Sequence, residues 1–167
     1  MKSALKVFAA MRSRAIIALV VAIGFSFAAC GDGGGGGGGG GGGSGGMTWT
    51  AVTNSTFDIY AIAYDNSKFV AGGYNGKMAY SSDGVTWTAV TDSTFGTSAI
   101  YAIAYGNSKF VAGGVSGKMA YSSDGETWTA VTNSTFGTST AIRAIAYGNS
   151  KFVAGGGSGK MAVGEFK

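Results

Sequence analysis

The sequence predicts an all-β domain built from three four-stranded repeats, and three observations predict it. The segment TWTAVT occurs three times, and its Trp residues, Trp49, Trp87 and Trp128, are spaced by 38 and 41 residues. Each copy leads into a second shared segment, IYAIAYDNSKFVAGG, IYAIAYGNSKFVAGG or IRAIAYGNSKFVAGG. A glycine-containing turn follows each, and no helical period interrupts the pattern after residue 46. Four short strands in about 40 residues are typical of a β-propeller blade.

Within the first repeat, each predicted strand is bounded by turn chemistry. Trp-Thr-Ala-Val alternates bulky and small side chains, and residues 59–64 are apolar on both faces, as in a strand buried between two layers. The runs Asp65-Asn66-Ser67 and Tyr74-Asn75-Gly76 favour turns. Residues 68–71 and 77–81 are therefore predicted as the two further strands.

The segments SSDGVTW and SSDGETW precede the second and third Trp strands. They resemble the Asp-box, the S-x-D-x-G-x-T-W hairpin of sialidase-type (BNR) propeller repeats, in a variant with Gly directly after Asp. In such a turn we expect Asp to accept backbone N–H groups, Gly to take a positive φ and Trp to anchor the next strand. The resemblance covers residues 48–167 and implies a structural motif away from the active face, formed here by Ser81, Asp83, Gly84, Thr86, Trp87, Ser122, Asp124, Gly125, Thr127 and Trp128.

The number of repeats makes closure of the domain a problem. The region starts with a Trp strand that lacks three partners and ends with three strands that lack a Trp strand, so residues 49–52 would complete the last repeat. That gives three blades, whereas propellers have four to eight. Three arrangements stay open: a ring completed by a second chain, an incomplete open propeller, and a β-trefoil-like barrel.

The N-terminal 46 residues are expected to be an export and tethering region. A basic stretch precedes fifteen uncharged residues, 15–29, which are short of a membrane-spanning helix and typical of the helical core of a signal peptide. The start is either Met1 or Met11. The core ends in Phe27-Ala28-Ala29-Cys30, which resembles the lipobox of bacterial lipoproteins, with Phe27 in place of a Leu-like residue. That resemblance implies cleavage after residue 29 and lipidation of Cys30. Residues 31–46 are almost entirely glycine, which predicts a flexible tether.

The lipobox resemblance also implies a location in the bacterial cell envelope. Gly31 follows the cysteine, where an Asp commonly retains such lipoproteins at the inner membrane, so the outer membrane is the expected site. The membrane is then a partner through the lipid anchor.

Composition excludes several classes of function. The chain has no His and one Cys, so zinc sites, Cys/His or Ser/His nucleophile pairs and internal disulfides are not expected, nor is any metal or other cofactor. Of twelve basic residues, four precede residue 15, and the remaining eight balance eight acids. A neutral body argues against nucleic-acid binding, which needs a clustered positive surface. Arg143 is the one Arg after the signal segment, so a single chain lacks the arginine cluster of a sialidase.

Positions that differ between otherwise matching repeats indicate a candidate binding surface. Tyr60, Tyr101 and Arg143 occupy one equivalent position, and Tyr74, Val115 and Gly157 another. An aromatic pair with one Arg would stack on a sugar or hold a peptide, although neutral drift at solvent-facing positions explains the same differences. Two lysine sets, Lys68/Lys109/Lys151 and Lys77/Lys118/Lys160, indicate either anion binding or protected strand edges.

The sequence therefore predicts a lipid-anchored, exported module that binds a protein or glycan ligand and has no catalytic activity, with a homo-oligomer as one way to complete its ring. The first alternative is a structural or truncated propeller fragment without a specific ligand. The second is a remnant of a sialidase-like glycoside hydrolase, which would require several chains to pool their Arg143 side chains.

Overall fold

Three antiparallel sheets make up the part of the chain that the computed structural model describes, residues 47–53 and 55–167. The first sheet contains β1 (Ile59–Asp65), β2 (Lys68–Gly73), β3 (Met78–Ser81) and β4 (Thr88–Ala89). The second contains β5 (Ile100–Gly106), β6 (Lys109–Gly114), β7 (Met119–Ser122) and β8 (Thr129–Ala130). The third contains β9 (Ile142–Gly148), β10 (Lys151–Gly156) and β11 (Met161–Gly164). The predicted all-β class is confirmed.

The strands follow one another in chain order within each sheet, joined by short turns. A 3₁₀ turn links the second and third strands of every sheet, at Tyr74–Gly76, Val115–Gly117 and Gly157–Gly159. In each, the middle residue has a positive φ, with Asn75 at 56°. These turns lie at the predicted Tyr-Asn-Gly segment and its equivalents.

Two expectations about closure do not match the described residues. The third sheet has three strands rather than four, because residues 47–53 form no strand and the Trp49 side chain is 87% exposed. Among these residues the three sheets are separate and no closed barrel forms, so the β-trefoil-like alternative is wrong. The predicted signal segment, lipidated Cys30 and glycine tether lie outside the described residues.

The sheets pack face to face in the order first, second, third. Each sheet has an isoleucine face, with Ile59 and Ile62 in the first and their equivalents in the others, and an alanine face on the opposite side, with Ala61 and Ala63. The alanine face of one sheet packs on the isoleucine face of the next. Two clusters result, one around Phe95, Ile100 and Phe110, the other around Phe136, Ile142 and Phe152.

Loop residues tie neighbouring sheets together. Ser93, in the connection to the second sheet, donates a hydrogen bond to the Gly76 carbonyl at 2.5 Å. Ser134 makes the same bond to the Gly117 carbonyl in the next connection. Burying Phe95 and Phe136 beside these bonds fixes how each sheet sits on the one before it.

Candidate functional site

The predicted surface residues Tyr60, Tyr101 and Arg143 lie side by side in one row. The Tyr60 and Tyr101 ring centroids are 5.8 Å apart with planes tilted by 31°. The Arg143 guanidinium carbon lies 5.9 Å from the Tyr101 ring centroid. Positions that are equivalent in the repeats are thus neighbours in space, with Tyr101 in the middle. We call these three residues the bulge row.

A β-bulge in the first strand of each sheet places its member of the row. The pairing register skips Tyr60 between Ile59 and Ala61, and it skips Tyr101 in the same way. In the third sheet Gly155 pairs with Ala144 and Gly156 with Ile142, which leaves Arg143 as the extra residue. Bulges turn a side chain away from the regular alternation of a strand. Because β1, β5 and β9 are adjacent across the stack, the three bulges form one line.

Tyr74 lies at the same end of the first sheet as the bulge row. Its backbone N–H donates to the Asp58 carbonyl at 2.9 Å, directly before β1. The Tyr74 ring is exposed, and no ring pair joins it to the row among the described residues. The equivalent Val115 and Gly157 lie at the corresponding ends of the other sheets. Tyr74 therefore flanks the row without stacking on it.

The two Ser-Asp-Gly turns occupy the opposite end of the sheets. Ser81 is the last residue of β3 and pairs with Phe69, near the Asp65–Lys68 turn and away from Tyr60. The Asp83 carboxylate oxygen Oδ1 accepts the N–H groups of Val85 and Thr86 and the Ser81 hydroxyl. Gly84 has a φ of +75°, and the Trp87 indole N–H donates to its carbonyl at 3.1 Å. The Asp83 carboxylate therefore stabilises this turn through its hydrogen bonds.

The second turn repeats the first closely. Asp124 Oδ1 accepts the N–H groups of Glu126 and Thr127 at 2.8 Å each, and the Ser122 hydroxyl. Gly125 has a φ of +77° and accepts the indole N–H of Trp128, which is buried against the first sheet.

These hydrogen bonds determine the acidity of both carboxyls. The N–H groups of Thr86 and Val85, together with the Ser81 hydroxyl, lower the pKa of Asp83 to about 2. Burial acts to raise the pKa of Asp124, but the N–H groups of Thr127 and Glu126 outweigh it and the pKa is again about 2. Neither carboxyl would be protonated near neutral pH, as a general acid must be.

The lysine sets are largely occupied by contacts that sequence reasoning missed. Lys118 donates to the Phe95 carbonyl at 2.8 Å and Lys160 to the Phe136 carbonyl at 3.1 Å. Lys68 pairs with Glu126 of the second sheet, and Lys151 lies 2.6 Å from Glu165. The repeats contain a signal for the two Lys–Phe contacts, because Lys118 and Lys160 follow their Phe partners at nearly equal distances along the chain.

The described residues contain no group of three or more His, Cys, Asp or Glu side chains arranged to hold a metal ion. Within that same part of the chain, no helix is long and apolar enough to cross a membrane.

Comparison with known proteins finds little similarity. No family model matches the chain, and no curated protein matches it. The crystal structure of the computationally designed Ika4 protein is similar at 15% identity and a TM-score of 0.40, over 73% of this chain and 99% of that one.

Proposed function

We propose that this chain is an exported, lipid-anchored binding module that presents the bulge row to a carbohydrate or peptide ligand and has no catalytic activity of its own. The observation that carries the proposal is the line of Tyr60, Tyr101 and Arg143 on three adjacent strands. Aromatic faces bind sugar rings and peptide groups with little loss of side-chain entropy, and a guanidinium adds hydrogen-bond donors and a positive charge.

The location of the row supports a binding role over a purely structural one. The row lies on bulges, where side chains leave the regular sheet pattern, and bulges are frequent beside functional sites. The other end of each four-stranded sheet is occupied by a hydrogen-bonded Ser-Asp-Gly turn. We propose that the sheets are propeller-like blades, in which one end is free for a ligand.

Export and anchoring complete the proposal. The segment 15–29 with Phe27-Ala28-Ala29-Cys30 would direct the chain to the outer membrane of a bacterial envelope, and residues 31–46 would hold the β region away from the lipid. Labelling cells with a clickable fatty acid tests this directly. The chain should carry label and the Cys30→Ser variant should not; equal labelling of both, or of neither, would contradict the anchor.

The binding proposal is tested by screening the full chain against glycan and peptide arrays, then measuring affinity for the best ligand. Truncating Tyr101 removes the centre of the row, so Tyr101→Ala should weaken binding about tenfold or more, and Arg143→Ala similarly. Tyr74→Ala should have a smaller effect, because its ring flanks the row. Lys167→Ala is the control for a lost positive charge and should bind normally.

Two results would contradict the proposal. The absence of any ligand in both arrays would favour a structural protein, and so would a ligand whose affinity is unchanged by Tyr101→Ala.

A further inference from the structure

The two ends of the stack present faces that are buried everywhere else in the molecule. The alanine face of the third sheet has no sheet against it among the described residues: Met161 is 73% exposed, whereas the equivalent Met78 is 2% exposed. The isoleucine face of the first sheet also has no sheet against it among the described residues: Ile59 is 38% exposed, whereas the equivalent Ile100 is fully buried. Within the chain, these two kinds of face pack on each other twice. The free faces are therefore complementary.

A cavity of about 480 Å³ lies between the second and third sheets, beside β11. Its apolar lining repeats the cluster that contains Trp128, to which Val70, Met78, Phe110 and Ala112 belong and against which Tyr80 and Val90 pack. The equivalent residues at the cavity are Val111, Met119, Tyr121, Val131, Phe152 and Ala154. Phe166 contacts part of this lining, with its ring centroid 5.2 Å from that of Tyr121. Phe166, whose ring centroid is also 6.0 Å from that of Phe152, occupies part of the place that a Trp side chain would take here, and among the described residues no Trp fills the rest of the cavity.

In the part of the chain that the structure describes, the third sheet also has no strand that would carry this Trp. In the first two sheets, β4 and β8 follow the Trp and pair with β3 and β7. In the third, β11 pairs with β10 alone among the described residues. The missing sequence, TWTAV, is present at residues 48–52, identical to residues 86–90 and 127–131. There it is exposed.

The direction of the chain indicates that a second copy supplies this strand. The second and third TWTAV segments each supply the fourth strand of one sheet and lead into the first strand of the next: Val90 precedes β5, and Val131 precedes β9. A TWTAV segment thus lies in the sheet that precedes the strand it leads into. Because residues 48–52 lead into β1, they belong to a sheet that packs on the isoleucine face of the first sheet. The third sheet of the same chain lies on the other side of the second sheet. The third sheet of another copy has both the free edge and the free alanine face.

We propose that copies of this chain associate head to tail, with residues 48–52 of one copy forming the fourth strand of the third sheet of the next. Trp49 fills the cavity beside β11. By analogy with β4 and β8, Thr50 lies opposite Val163, Ala51 opposite Ala162, and the Val52 N–H bonds to the Met161 carbonyl. This assembly is independent of the proposed ligand-binding function.

The 3₁₀ turn of the third sheet supports the same arrangement. A Cβ built on Gly76 or Gly117 would collide with the carbonyl of the following connection, at Gly96 or Gly137, whereas one on Gly159 meets nothing within 4 Å. In the assembly, the connection after Val52 of the second copy covers Gly159. Ser55 then donates to the Gly159 carbonyl, as Ser93 does to Gly76.

Disulfide trapping between two different variants tests the strand exchange and its register. One preparation of the full chain carries Cys30→Ser and Thr50→Cys, and the other Cys30→Ser and Val163→Cys. Directly opposed residues of antiparallel strands are close enough for a disulfide. Mixing the two under mild oxidation should give a covalent heterodimer. Replacing the second preparation by Cys30→Ser with Ser123→Cys, on the middle sheet, should give none.

A substitution on the uncovered face tests the packing. A side chain at Gly113 would press on Ile142, with a Cβ at 2.6 Å from Cγ2, but one at Gly155 meets open space in a single chain. Adding Gly155→Arg to the Val163→Cys preparation should therefore leave the fold intact, by circular dichroism, and reduce the cross-linked yield about tenfold or more. Adding Ser123→Arg instead, which introduces the same charge at an exposed turn, should leave the cross-linked yield unchanged. Absence of the heterodimer, or a yield insensitive to Gly155→Arg, would overturn the proposal.

Discussion

At each Ser-Asp-Gly turn, one carboxylate oxygen accepts three hydrogen bonds and thereby fixes the hairpin that carries a Trp. Asp124 does this in the second sheet, where Trp128 is buried against the first sheet. Its pKa of about 2 lies below the ordinary value of 3.8, so the folded chain binds fewer protons than the unfolded chain between these values. The stabilisation is therefore complete above about pH 4 and is lost as the pH falls towards 2.

Asp124→Ala should lower the free energy of unfolding by about 1–2 kcal/mol at neutral pH, since charge-assisted hydrogen bonds are lost. The lost stabilisation depends on the ionised carboxylate. The difference in free energy of unfolding between the variant and the parent chain should therefore shrink between pH 4 and pH 2. Urea titrations at pH 7, 4 and 2 measure it, with the exposed Asp58→Ala as control. A deficit that stays constant down to pH 2 would contradict this role.

At the scale of the element, the sheet and the connection that leads into it form one packing unit. Phe95 is fully buried in the cluster between the first two sheets, and its carbonyl accepts a hydrogen bond from Lys118. Phe136 is equivalent in the next connection. Each connection therefore contributes a buried Phe to the core between two sheets.

Phe95→Ala should reduce the free energy of unfolding by about 3–5 kcal/mol, because it removes a large side chain from a filled core. Val85→Ala, at an exposed position on a turn, is the control and should change it by less than about 0.5 kcal/mol. Guanidinium unfolding followed by tryptophan fluorescence gives both values. Similar losses for the two variants would mean that the sheets do not pack around Phe95.

The sequence predicts most of these elements because each pattern occurs three times. Alternating Trp-Thr-Ala-Val and the Asn-Gly and Asp-Gly turns predict strands and hairpins from local chemistry. The bulges at Tyr60 and Tyr101 have no such local signal, since they depend on how β1 and β5 pair with β2 and β6. Repeat alignment predicted that Tyr60, Tyr101 and Arg143 are equivalent, but only packing of the sheets makes them neighbours.

At the scale of the whole molecule, the decisive feature is that the three sheets of the described residues leave two end faces uncovered, and these are the two kinds of face that pack on each other within the chain. The sequence predicted that residues 49–52 would complete the last repeat, but in the described chain Trp49 is exposed and the third sheet is two sheets away from β1. A contact between unlike faces of identical chains repeats until a ring closes or a filament grows. An uncovered strand edge such as β11 favours the same pairing.

The mass of the full chain in solution, measured by light scattering in a mild detergent, tests this account most directly. The parent chain should have a mass of two or more copies, after correction for detergent. Trp49→Ala should shift it to one copy without loss of β structure, because that side chain is exposed in the single chain and buried in the assembly. Trp49→Phe, which keeps an aromatic anchor, should still associate. A parent chain that stays at the mass of a single copy across the concentration range would contradict the account.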